Sequence, residues 1–332
     1  MISLALSVLL FSTSTTSAQQ LFGLELVHNS PARPGLMSID RTSAKVSIIG
    51  DPNGIPILPA TGDLIALDSK RNLLYYLGDT EQGTTLAAVS TINGTLICST
   101  VLPVQEIGFV GFGQSVNFDA STDELIISGV VVNSTTNATA HLLMKASAND
   151  CGPFSIIGRF GDADYVPMEH ASAYDLVGRR LFIGLATGSS SFAVGIIDVD
   201  KGVMEKVDVE DSSSGKFLVG MKWHAKSSTL IGLENFPDYD HLNLVQLSPK
   251  SGKWSLKQLS TDFPVVMGNS GSVSALDASS DVLFVLLAAN TTTQDIRLGQ
   301  VYVSDATISQ TPSINGELGL GLILSLIVPN ES

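Results

Sequence analysis

The sequence predicts an all-β fold, a six-bladed β-propeller, on three observations. A strand–turn–strand pattern recurs five times at a spacing of about 52 residues. Each recurrence is followed by a second hairpin. The N-terminus supplies strands that lack an innermost partner, and the C-terminus supplies one apolar strand left over. Composition agrees with such a fold. Hydrophobic residues make up 44% of the 332 residues and charged residues only 15%, against roughly 25% charged in an average globular protein. That balance excludes global disorder and disfavours long solvated helices.

Residues 1–18, MISLALSVLLFSTSTTSA, read as an export signal. An apolar run is followed by a polar stretch and a small-residue cleavage site before Gln19, and the run is too short to span a bilayer. The domain is then 19–332. No Lys or Arg precedes the run, and the structural alternative is a buried N-terminal strand. Five N-x-[ST] sequons, at Asn93, Asn133, Asn137, Asn290 and Asn330, agree with a secreted, N-glycosylated chain.

LFGLELVHN, GLMSID and KVSIIG resemble the second, third and fourth strands of a blade. Five segments then align: LIALDSKRNLLYY, SVNFDASTDELII, ASAYDLVGRRLFI, GMKWHAKSSTLIG and VSALDASSDVLFV. Their anchors are Asp68, Asp119, Asp175, His224 and Asp277. Apolar and β-branched residues flank a short polar stretch that must turn. An Asp closes that turn by accepting backbone N–H bonds two residues on. His224 does so through one ring nitrogen only, so its turn is expected to be looser. A catalytic or metal role for these anchors is the minor alternative.

The second hairpins carry turn chemistry at Asn93-Gly94, Asp200-Lys201-Gly202 and Lys250-Ser251-Gly252. LGLILSLIV follows the last repeat, and docking it inside the N-terminal strands closes the ring. Residues 19–332 divide into six units of about 52, whereas seven blades would need about 45 each. Seven remains the alternative count. The blade pattern resembles the six- and seven-bladed propellers of secreted proteins over nearly the whole domain. It lacks the Trp-Asp blade ending, the kelch double glycine and the sialidase Asp box.

Cys98 and Cys151 are the two cysteines. An oxidising compartment makes one disulfide the expectation, with two buried thiols as the alternative. They fall at similar outer positions of adjacent blades. Outer strands diverge there, which sets the pairing against a Cα–Cα limit of about 7 Å.

Propeller ligands sit at one mouth of the channel, where chain enters the innermost strands. The candidates there are Asp63, Gln114, Glu169, His170, Lys222 and Ser272, with Asn117 on its strand. Glu169 beside His170 suits a metal or a base, and a solvated loop or strand cap is the plainer reading. Asp63 and Glu169 entering one channel could hold Ca²⁺, which needs six to eight oxygens. Calcium-dependent six-bladed hydrolases of the regucalcin and paraoxonase type hold such an ion on Glu, Asn and Asp at several inner-strand starts. This chain matches that pattern only at scattered positions, so the resemblance carries no function to it. Asp162, Asp164, Asp238, Asp240 and His241 form two acidic loops that read as solvated turns, without the glycine and distal glutamate of an EF-hand.

Net charge is −14 and pI about 4.6, which argues against nucleic acid and anionic lipid as partners. The run from Leu318 to Val328 is too short for a transmembrane helix. Metalloprotease, nucleophile-elbow, Walker and Rossmann signatures are absent. The sequence therefore points to a secreted, monomeric extracellular binding or matrix module. Its expected partner is a protein, a glycan or a small ligand. No catalytic residue is assigned. A calcium-dependent hydrolase or lactonase working at the channel mouth is the alternative, with Ca²⁺ as its cofactor.

Overall fold

A computed structural model describes residues 20–27, 33–51, 55, 57–59, 65–103, 109–133, 139–160, 165–187, 191–210, 218–234, 241–266, 274–289, 295–314 and 322–328. The sequence reading of 1–18 lies outside them. These residues form six antiparallel sheets in a ring, a six-bladed β-propeller. Among them no helix is long and apolar enough to cross a membrane.

Blade 1 is assembled from both ends of the chain. Its innermost strand, Leu322–Ile327, pairs with Gln20–Val27, followed outward by Arg33–Asp40 and Val46–Ile49. Blade 2 places Leu58–Pro59 and Ile65–Asp68 innermost, then Leu73–Thr80, Gly83–Ser90 and Leu96–Val101. Blade 3 runs Phe109–Asp119, Glu124–Asn133, Thr139–Ser147, Phe154–Phe160. Blade 4 runs Tyr165–Asp175, Arg180–Thr187, Ser191–Asp198, Val203–Asp208. Blade 5 runs Val219–His224, Thr229–Glu234, Leu242–Leu247, Trp254–Leu259. Blade 6 places Val265–Val266 and Ser274–Asp277 innermost, then Val282–Ala288, Ile296–Tyr302 and Thr307–Ser313.

The core is divided into six apolar walls, one between each pair of neighbouring blades. Alternate residues of a strand point to opposite faces. The second and third strands of each blade carry apolar residues on both, because each is covered by a neighbour on either side. Ile126 and Ile127 show the division: the first joins the wall shared with blade 4, the second the wall shared with blade 2.

The four aspartate anchors act as read. Asp68 accepts backbone N–H bonds from Lys70 and Arg71, each 3.0 Å. Asp119, Asp175 and Asp277 accept corresponding bonds from Ser121, Gly178 and Ser279. The fourth residue after each anchor has positive φ: Asn72, Asp123, Arg179, Ser228 and Asp281. His224 satisfies its turn through Ser227, 2.6 Å from Nδ1, and spends its other ring nitrogen on Asp281 of blade 6. That contact is one of a series joining blades on this face. Arg41 of blade 1 reaches Asp277 of blade 6, Arg71 of blade 2 reaches Asp123 of blade 3, and Arg179 of blade 4 reaches Asp119 and Glu124 of blade 3. Burial alone would raise the Asp277 carboxyl, but bonds from Ser279, Arg41 and Ser280 outweigh it and lower its pKa to about 2.

The outer turns seat each blade on the one before. Glycines with positive φ make the approach possible: Gly94 lies on Ile49 and Gly50 of blade 1, Gly202 on the Ile157 carbonyl, Gly252 on the Asp208 carbonyl. A side chain at any of them would strike backbone. In blade 3 the equivalent residue is Cys151, and it forms the disulfide with Cys98 of blade 2. The two Cα atoms are 6.0 Å apart, inside the bridging range despite the divergence of outer strands.

Candidate functional site

The innermost strands are interrupted at one common level. In blade 2 the pairing jumps from Pro59 to Ile65 while the second strand advances only from Gly78 to Tyr76. In blade 4 it jumps from Pro167 to Ser172 opposite Gly184, and in blade 5 from Val219 to Lys222 opposite Gly232. In blade 6 it jumps from Val266 to Ser274 opposite Leu286. Blade 3 skips Gln114, and blade 1 skips Leu324. Such bulges re-aim side chains and bend the strand. Glycines admit two of them. A Cβ on Gly184 would stand 2.6 Å from the Ala171 Cβ, and one on Gly232 would stand 2.6 Å from the Leu218 Cδ1.

Below this level, toward the anchors, the channel opens into a cavity of about 310 Å³ to which all six blades contribute. Its walls are largely apolar, with Ile65, Val116, Leu276 and Leu326 among them. Polar groups enter at Asn117, Ser172, Lys222 and Asp175. Asp175 is engaged by Arg180 at 2.7 Å. Trp223 forms part of the wall, its ring stacked on Phe182 with centroids 4.9 Å apart.

The position two residues before each anchor explains where the polar groups come from. It is Ala66, Ala173 and Ala275 in blades 2, 4 and 6, all buried against the following blade. Blades 3 and 5 put Asn117 and Lys222 there instead, both half-buried. The Asn117 amide donates a long bond to Ser115 Oγ at 3.5 Å, and Ser115 is 2.7 Å from Ser128 Oγ across the same sheet.

Of the residues singled out by sequence, Asn117 and Lys222 thus line one cavity. Gln114 is the bulged residue of blade 3, and Glu169 and His170 belong to the skipped stretch of blade 4. The side chains of these three lie outside the described residues, as do Asp63 and Ser272. Among the described residues no three His, Cys, Asp or Glu side chains stand together in a way that could hold a metal ion. Asp162, Asp164, Asp238 and Asp240 also lie outside. His241 is exposed, with Nδ1 3.2 Å from Gln258 Nε2. Met221, beside Lys222, is fully buried in the wall between blades 4 and 5. Asn93 is exposed, while the side chain of Asn133 and all of Asn137, Asn290 and Asn330 lie outside the described residues.

Sequence reasoning did not anticipate the cross-blade partners Arg41, Arg71 and Arg179. The signal was present: Arg71 and Arg179 fall three and four residues after their anchors.

No protein-family model matches the chain, and no curated protein matches it in sequence. Solved structures share its fold. TolB from Acinetobacter baumannii superposes with a TM-score of 0.59 at 11% identity, over 93% of this chain and 66% of TolB. A protein from Lactobacillus plantarum gives 0.53 at 13% identity, over 93% and 98% of the two chains. A candidate 6-phosphogluconolactonase from Bacteroides fragilis gives 0.51 at 10%, over 94% and 97%. At these identities the likeness is one of fold, and fold does not carry function.

Proposed function

We propose that this is a secreted, N-glycosylated binding module of the extracellular medium, and that its ligand enters the channel where the innermost strands are interrupted. The observation that carries the reading is the common level of interruption in all six blades, set directly above a cavity that Asn117 and Lys222 help to line. A six-bladed ring leaves a central channel in any case, but it does not need the interruptions. Ligand sites are typically apolar hollows with a few placed polar groups, and this cavity has that make-up. It suits a small molecule with an apolar body and a hydrogen-bonding edge.

Trp223 reports on the site, since it lines the cavity. The full chain is titrated with a panel of small hydroxylated and amide-bearing compounds while tryptophan emission is followed. Binding should perturb emission, and both Asn117→Ala and Lys222→Ala should weaken it at least tenfold. A panel that leaves emission unmoved, or binding indifferent to both substitutions, would count against the site. Thermal unfolding with excess Ca²⁺ and with chelator runs alongside. A ligand at 100 times its Kd adds about 2.7 kcal/mol. Calcium stabilisation abolished by Asp63→Ala or Glu169→Ala would replace the binding-module reading with the hydrolase one.

A further inference from the structure

Asn93 sits exposed in the turn between the third and outer strands of blade 2. Its Oδ1 accepts from the Thr95 backbone N–H at 3.1 Å and from the Thr95 hydroxyl at 2.8 Å. The carboxamide is therefore held by its oxygen. Around it is an apolar corner. Ile92 is 74% exposed, Ile97 52% and Ile48 43%, with Leu96 beside them. Gly94 rests on Ile49 and Gly50, so the turn and the outer edge of blade 1 are in contact.

These edges also lack the usual protection. An open edge strand invites pairing with another chain unless charges, prolines or a cover blunt it. The outer strands of blades 3, 4 and 5 carry Arg159, Glu205 and Lys206, and Lys257, and that of blade 6 carries Pro312. The outer strands of blades 1 and 2 are VSII and LICSTV, with no charge and no proline. The two bare edges are those that flank Asn93.

We propose that Asn93 carries an N-linked glycan, and that this glycan is the cover for the outer edges of blades 1 and 2. The donor is a lipid-pyrophosphate-linked oligosaccharide. The anomeric carbon forms a bond to Asn93 Nδ2 as its bond to the pyrophosphate oxygen breaks. The amide gives up one proton, and the lipid pyrophosphate leaves with the electron pair. The assignment rests on the reading of the chain as exported, so the test separates the two.

The full chain is expressed in a glycosylating eukaryotic cell, once with its own N-terminus and once behind an established secretory leader. Peptide mass mapping of protein from the medium should find residues 92–97 modified. Thr95→Ala should abolish that modification, and Thr95→Ser should retain it. Enzymatic removal of the glycan should raise self-association in light scattering several-fold, and Ile92→Lys with Ile97→Lys should reverse the rise. Recovery only behind the added leader, with Asn93 modified, overturns the export reading and supports this one. Secreted protein with Asn93 bare overturns the site. A modified Asn93 whose glycan can be removed without added association overturns the covering role.

Discussion

His141 is the residue whose burial the fold least explains. It lies in the third strand of blade 3, on the face it shares with Leu143 and opposite Phe160, toward blade 4. It is buried, and neither ring nitrogen has a hydrogen-bond partner. Burial pushes its pKa down to about 4, because the charged form would lose its hydration. The folded chain therefore keeps His141 neutral where the unfolded chain, with a pKa near 6.5, binds a proton. Stability then falls as pH drops from about 6.5 through about 4, by roughly 3 kcal/mol in all. Asp277 acts in a separate window. Its lowered pKa keeps the Arg41 contact in place until pH falls from about 4 toward about 2. Urea unfolding at pH 7 and pH 4.5 should therefore show a loss in the native chain that His141→Leu largely removes. An acid limb unchanged in that variant would assign the loss elsewhere. Nothing in the sequence marks His141 among five histidines. An alternating strand looks the same whether its polar residue meets solvent or another blade.

At the level of single elements, the interrupted strand is the unit that matters. An insertion in the innermost strand must press on the second strand, and glycine is what makes room in blades 4 and 5. Gly184→Val would drive its branches into Ala171 and into Phe192, whose Cε2 would be 3.0 Å from even a Cβ. Overpacking of this kind costs about 1–3 kcal/mol. Equilibrium urea denaturation should show that loss, and a ligand bound in the channel should bind more weakly as the 168–171 stretch is displaced. A Gly184→Val chain as stable as the native one would mean that the bulge yields freely. These elements were legible to different degrees. The outer turns could be read because Asn93-Gly94 and Lys201-Gly202 write the positive φ into the sequence. The inner turns need a left-handed residue as well, yet Asn72, Asp123, Arg179, Ser228 and Asp281 share only polarity and include no glycine. The anchor, Asp in four blades and His224 in blade 5, already holds the turn, so the left-handed position varies among polar residues. The interruptions were hidden for another reason. Their lengths differ from blade to blade, so no fixed period reports them. The alanine position that becomes Asn117 and Lys222 can be read once the anchors are aligned, and it holds two of the polar groups lining the cavity.

For the whole molecule, the two cross-links between sequence-distant parts are unequal. The disulfide joins blades 2 and 3, which are consecutive in the chain and already share a wall containing Tyr75, Leu125 and Leu142. Removing it by Cys98→Ala with Cys151→Ala should cost about 2–5 kcal/mol and leave a propeller. The strand Leu322–Ile327 is the innermost strand of blade 1, which is built from both chain ends. Leu326, Ile327 and Val328 are buried in the walls facing blades 2 and 6. At about 1.5–3 kcal/mol for each buried aliphatic side chain, these three alone match a large part of the 5–15 kcal/mol that holds a domain folded. Their loss would also bare the edge of Gln20–Val27. A chain ending at Gly321 should therefore lose cooperative unfolding in near-UV circular dichroism and associate on size exclusion, whereas the cysteine double variant should elute as a monomer. Because the missing piece is an edge strand, a synthetic peptide of residues 318–330 should dock in its place by main-chain pairing and restore the cooperative transition. A truncated chain that already unfolds cooperatively without the peptide would show that five blades and the N-terminal strands close the ring unaided.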